Sequence, residues 1–124
     1  MAWSFSSDKP IYLQVSERIL KKIISGTYLP GQQIPSVRQL AMETAVNPNT
    51  VQRALSALEE DGLLVTQGTL GRFVTNDPEV IEASRRKHAR TLVQSFLKDA
   101  EQMSLSKQQL IEMLEEEFNE HTEM

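Results

Sequence analysis

The chain contains no cysteine among its 124 residues, which excludes disulfides, thiolate metal sites and a cysteine nucleophile. Its two histidines, His88 and His121, lie far apart, and only His121 has carboxylates nearby, Glu117 and Glu120. One helix end offers too few ligands for a metal, so neither a metal nor another cofactor is expected. No apolar run approaches the ~18–20 residues that cross a bilayer, and the N-terminus lacks a basic stretch followed by an apolar one. A membrane partner is therefore not expected, and the lack of cysteine fits a cytoplasmic location. No glycine-rich phosphate loop precedes a helix and no nucleophile–base pair stands out, so an enzyme is not expected either.

Positive charge is also scarce, with a net charge of −4, but it is unevenly placed. Residues 1–76 hold seven basic and six acidic residues, a net +1. Residues 77–124 hold six basic and eleven acidic residues, a net −5. The acidity belongs to the second part, whose role is then not to touch phosphate.

What the chain does have is a patterned stretch from Pro35 to Leu55, which predicts two short helices meeting at a tight corner. Ser36 and Gln39 form a Ser-x-x-Gln capping box for the first helix. Asn47 caps the second, with Pro48 at the first helical position, where a missing N–H costs nothing. Val51, Ala54, Leu55 and Leu58 make one apolar stripe at helical spacing. Asn49, Thr50, Gln52 and Arg53 point elsewhere, and that set of side chains, in place of the usual Glu and Lys, is what a base-reading helix carries.

Around this stretch, Pro10 opens a helix with Ile11, Val15, Ile19 and Ile23 on one ridge, ended by Gly26. Leu29-Pro30-Gly31 predicts a type II turn. Leu63–Thr66 and Arg72–Thr75 are short and β-branched, separated by Gln67-Gly68-Thr69-Leu70-Gly71, which predicts a hairpin. The expected fold is mainly α with a small β-hairpin: a winged helix-turn-helix over residues 1–76, then a two-helix tail over 77–124. Asp77-Pro78-Glu79 starts the first tail helix and Ser106–Gln109 caps the second. Leu92, Phe96, Leu110, Ile111, Leu114 and Phe118 are the expected dimerisation residues, because two amphipathic helices of this size cannot bury both stripes against each other. The tail also has room for a small-molecule effector, which nothing in the sequence names. The Trp3/Phe5 arm has no assigned place.

Pro10-Ile-Tyr-Leu-Gln-Val15, Gly26-x-x-x-Pro30-Gly31, Ile34-Pro-Ser-x-Arg38-x-Leu40-Ala41, Val46-Asn-Pro-Asn-Thr-Val51, Leu58-x-x-x-Gly62 and Gly71-x-Phe73-Val74 together resemble the GntR family of bacterial transcription regulators. The short tail looks like the YtrA-type subfamily. The resemblance implies a homodimer that binds a palindromic, double-stranded operator, as a repressor. It implies DNA contacts from Ser36 and Arg38, from Asn47, Pro48, Asn49, Thr50, Gln52 and Arg53, and from a wing tip formed by Gln67, Gly68, Thr69 and Gly71. Relatives carry Arg-Gly-x-Gly at that tip, whereas this chain has Gly68 and Thr69 where Arg and Gly are expected, leaving Arg72 as the candidate replacement cation.

Each residue also has a plainer reading. Arg53 is a solvated arginine or a contact to base or phosphate, and its place on the exposed face favours contact. Asn49 reads adenine or serves the helix end; Thr50 meets phosphate or helps the cap. Gln14 has an adequate explanation as a surface amide and Tyr12 as core packing. A winged helix used only for protein–protein contact is the alternative function.

Overall fold

The computed structural model describes residues 3–122, without the Thr122 side chain. Five helices and one hairpin follow in the order α1 (Ile11–Ile24), α2 (Val37–Thr44), α3 (Pro48–Glu60), β1 (Leu64–Gln67), β2 (Gly71–Val74), α4 (Pro78–Gln102) and α5 (Lys107–Thr122). Contacts divide the chain into two compact units, one running to Arg85 and the other from Arg86.

In the first unit, α1 packs on α3 through the apolar ridge of one and the stripe of the other. Val15, Ile19, Val51, Ala54 and Leu55 have no exposed surface at all. Leu40 from α2, Ile34, and Leu63, Leu64 and Val74 around the hairpin close the same core. Burying each of the Val, Leu and Ile side chains among these contributes on the order of 1.5–3 kcal/mol. Ile81 joins the core and Val80 packs against it, so the opening turns of α4 belong to this unit. The compact unit thus reaches beyond Asn76, where the sequence pattern placed the end of the winged domain.

The helix ends follow the expected chemistry. Ser36 accepts from the Gln39 amide while the Gln39 side chain accepts from the Ser36 amide, completing the capping box. Asn47 accepts from the Asn49 amide at 2.8 Å, with Pro48 at the first helical position. Between α2 and α3 the chain turns through Ala45, a non-glycine residue at φ 59°. Buried Thr44 secures this corner, donating to the Leu40 carbonyl at 2.7 Å and accepting from the Val46 amide at 3.2 Å.

The hairpin is tighter than the sequence pattern implied. Leu64 pairs with Val74, Thr66 with Arg72 and Gln67 with Gly71, so only Gly68, Thr69 and Leu70 lie outside the ladder. The Gly31–Ile34 segment runs alongside β2. Gly31 donates to Val74, Val74 to Gln32 and Ile34 to Arg72, and Gln33 makes an isolated bridge with Phe73. The wing is therefore anchored along one side by a third length of backbone.

Two segments that the sequence left open have definite places. Gln14 is buried, not a surface amide, because its side chain ties down the N-terminal arm. It accepts from the Ser6 amide and donates to the Ser6 and Lys9 carbonyls, all within 2.8–2.9 Å. Trp3 and Phe5 pack against the core with the Arg18 guanidinium over both rings, and Lys22 lies over Trp3 and Tyr28.

In the second unit, α4 ends in a Schellman turn with Ser104 at φ 58°. Leu105 donates to the Ala100 carbonyl and Ser104 to that of Glu101. Ser106 and Gln109 then form the second capping box. Leu92, Phe96, Leu110, Ile111, Leu114 and Phe118, all six expected dimerisation residues, line one open groove of about 1130 Å³. Leu92 is 71% and Phe118 68% exposed, so the apolar side of this helical pair is largely uncovered.

The turn before the wing supplies a test of the first unit. The Leu29–Gln32 turn closes with a 2.9 Å hydrogen bond and places Gly31 at φ 78°. A Cβ at Gly31 would lie 2.6 Å from the Asn76 side-chain oxygen. Gly31→Ala should lower stability by about 1–3 kcal/mol, read as a fall in the urea midpoint with an unchanged slope.

Candidate nucleic-acid interface

With Val51, Ala54, Leu55 and Leu58 turned inward, α3 presents Asn49, Gln52 and Arg53 to solvent. Their chemistry suits the edges of bases: two amides that both donate and accept, and a guanidinium with a fork of N–H donors. Thr50 is half-buried at the start of the same helix. The Ser36 and Asn47 side-chain oxygens are engaged by helix amides and hold the two helix ends.

Neither α2 nor α3 carries an acidic residue in its first turn. Their N-termini keep the partial positive charge of unpaired amides, which favours phosphate. Arg38, in the first turn of α2, is exposed and has no ion pair among the described residues. It shares a shallow surface pocket with Val37, Met42 and Pro48, which places it beside the start of α3. A cleft of about 260 Å³ brings Ser36 together with Gly68, Thr69, Gly71 and Arg72, so the α2 N-terminus and the wing face one another. Gln67, Gly68 and Thr69 are exposed at the tip, and the Gln33 amide donates to the Leu70 carbonyl there.

Arg72 occupies a different place from the one expected of a free wing cation. Its guanidinium is paired with the Glu59 carboxylate, and its side chain is only 17% exposed. Thr66 donates to the other Glu59 oxygen at 2.9 Å, and a second Arg72 nitrogen reaches the Gln52 amide oxygen at 3.5 Å. The hydrogen bond from Arg72, aided by that from Thr66, holds the Glu59 carboxyl below its ordinary pKa against the opposing effect of burial. Arg72 therefore joins the wing to α3, and its charge is largely matched.

Arg53, by contrast, stacks on a ring. Its guanidinium carbon lies 3.8 Å from the centre of Tyr12 on α1. Sequence reasoning gave Tyr12 and Glu59 no part in the site. The one available signal was the cross-strand register, since Thr66 opposite Arg72 puts two polar side chains on one face of the hairpin.

Two helices at a tight corner, the second with a polar outer edge, followed by a two-stranded wing, define a winged helix-turn-helix of the transcription-regulator class. The profile of the bacterial regulatory proteins, gntR family, matches residues 11–74, and the chain belongs to the GntR family. It is 36% identical to the HTH-type transcriptional regulator YhcF of Bacillus subtilis, over 87% of this chain and 89% of that protein. A solved GntR family regulator from Listeria monocytogenes superposes with a TM-score of 0.85 at 34% identity, covering 90% of this chain and 98% of the other. The AraR DNA-binding domain, solved in complex with operator ORX1, matches 60% of this chain and 92% of its own with a TM-score of 0.54 at 33% identity. The short helical tail fits the YtrA-like branch of the family.

The Glu59–Arg72 pair generates a pH prediction. Because the Glu59 pKa is lowered by folding, the stability it contributes is present above the ordinary glutamate value of about 4.3 and is lost as pH falls through the lowered value. Amide protection factors across β1 and β2, measured by NMR and corrected for the intrinsic exchange rate at each pH, should therefore fall in acid in the wild type. In Glu59→Gln the protection should already be low at neutral pH and change little in acid. Equal protection of the two proteins at neutral pH would mean that the pair does not hold the wing.

Proposed function

We propose that the chain is a sequence-specific DNA-binding repressor that works as a homodimer on a palindromic operator in the cytoplasm. The observation that carries this reading is the exposed Asn49, Gln52 and Arg53 edge opposite the buried stripe of α3. In this reading α3 enters the major groove and its three polar side chains meet base edges. Arg38, Thr50 and the N-termini of α2 and α3 meet phosphates, while Gln67, Gly68, Thr69 and Gly71 bring the wing tip to the adjacent groove. Ser36, Asn47 and Pro48 set the angle of the two helices, and Arg72 braces the wing. Repression follows from occupancy, because a bound dimer excludes polymerase from a promoter.

The open groove of the tail is the proposed dimer interface. Contiguous apolar surface of this extent marks an interaction site, and a two-fold dimer makes two half-sites in inverted orientation the natural target. The same groove is the proposed place for an effector, if the regulator answers to one. The function requires no enzymatic step.

Mobility shift on the promoter of the protein's own gene tests the reading, and the absence of any salt-sensitive shift would favour a protein-interaction module instead. Arg38→Ala should weaken binding to all sequences alike and flatten the plot of log affinity against log salt by about 0.9. Unchanged affinity and slope would remove Arg38 from the interface. Leu114→Glu should convert the dimer to a monomer in size-exclusion chromatography with light scattering; an intact dimer would move the interface elsewhere.

A further inference from the structure

We propose that Tyr12 is a positioning residue for Arg53 and sets how strictly the protein reads one base pair in each half-site. The proposal rests on the DNA-binding function above and deepens it. Tyr12 lies in the first turn of α1, outside the helix-turn-helix, and its ring is half-buried against the core. The ring is thus a fixed floor, and the Arg53 guanidinium lies over it at 3.8 Å.

Other cation–ring contacts in the chain serve a different end. Arg18 lies over Trp3 and Phe5 and also donates to the Ser4 carbonyl, so both its face and its edge are engaged in holding the arm. Arg53 has only its face engaged. No hydrogen bond or ion pair occupies its N–H edge among the described residues. Stacking holds the plane of a guanidinium and leaves its donors in that plane free, the arrangement that bidentate contact to guanine O6 and N7 requires.

Immobilisation matters because a free arginine samples many rotamers and loses them on binding. A guanidinium already held on a ring loses fewer. It is also less able to swing to a neighbouring acceptor when the base is wrong, so the stack sharpens discrimination more than it raises general affinity. Gln52, the neighbouring reader, has its amide oxygen 3.5 Å from an Arg72 nitrogen. Arg53 has no such partner on the wing, which leaves Tyr12 as its support.

The test uses the full-length protein and a duplex recovered by selection from a random-sequence library with the wild type. Affinities for this duplex and for each of its single-base variants are read by fluorescence anisotropy. Arg53→Ala identifies the base pair at which preference is lost. Tyr12→Leu, which keeps apolar bulk without a π face, should lose about fivefold in preference at that same base pair and little elsewhere, as expected for one exposed cation–π contact. Tyr12→Phe should retain the preference within about twofold. The double variant Tyr12→Leu with Arg53→Ala should match Arg53→Ala alone, because the ring acts only through the arginine.

The proposal is overturned if Tyr12→Leu weakens every duplex equally, if it tightens binding, or if its effect multiplies with that of Arg53→Ala. Should Tyr12→Leu lower the melting temperature, Tyr12→Met repeats the comparison with a side chain that adapts to the same packing. A wild type that selects no preferred sequence overturns DNA reading and positioning together. A selective wild type with a uniformly weakened Tyr12→Leu overturns positioning alone.

Discussion

The packing of α1 against α3 is the constraint from which the rest of the first unit follows. Val15 and Ile19 on one helix and Val51, Ala54 and Leu55 on the other leave no surface exposed, so α3 has one rotational setting about its axis. A turn of 100° would bury Gln52 and expose Val51, leaving a polar amide without partners. The orientation of Asn49, Gln52 and Arg53 is thus fixed from behind by apolar packing. The rest of the interface is arranged around that setting. α2 is secured by its capping box and the Thr44 corner, and the wing is joined to α3 through Glu59.

Electrostatics at this interface works by placement more than by quantity. The winged half has a small net charge, and its wing arginine is matched by a carboxylate. On the face formed by α2 and α3 the positive charge sits at Arg38, Arg53 and two helix N-termini without acidic residues. A protein built this way has a shallow general attraction to the phosphate backbone, so correct and incorrect sites are separated mainly by contacts made at close range.

Much of this organisation is legible in the sequence because it depends on neighbours. The capping boxes at Ser36 and Ser106, the Asn47–Pro48 start, the Leu29–Gln32 turn and the stripe of α3 are all settled within a few residues. The features that escaped the sequence join positions far apart along the chain. Tyr12 and Arg53 meet only once α1 packs on α3, and Glu59 meets Arg72 only once the hairpin folds back beside its helix. Gln14 resembled a solvent-facing amide because its partners belong to an arm with no periodic signal. The same distinction applies to the tail, whose apolar spacing marks a face to be covered while the covering surface leaves no trace in the spacing itself.

The engagement of Ser36 and Asn47 in helix caps has a consequence for how much information a binding site can carry. The Ser36 and Asn47 oxygens are committed as acceptors to backbone amides, so in the proposed DNA-bound dimer the outer edge of α3 offers Asn49, Gln52 and Arg53 as the main readers on each copy. One fully specified base pair supplies about two bits, so two copies of three readers would supply about twelve. Singling out one location among roughly a million competitors requires about twenty. For the proposed dimer the difference would fall to the stiffness and groove width of the DNA itself, so that base pairs touched by no side chain would help decide where it settles.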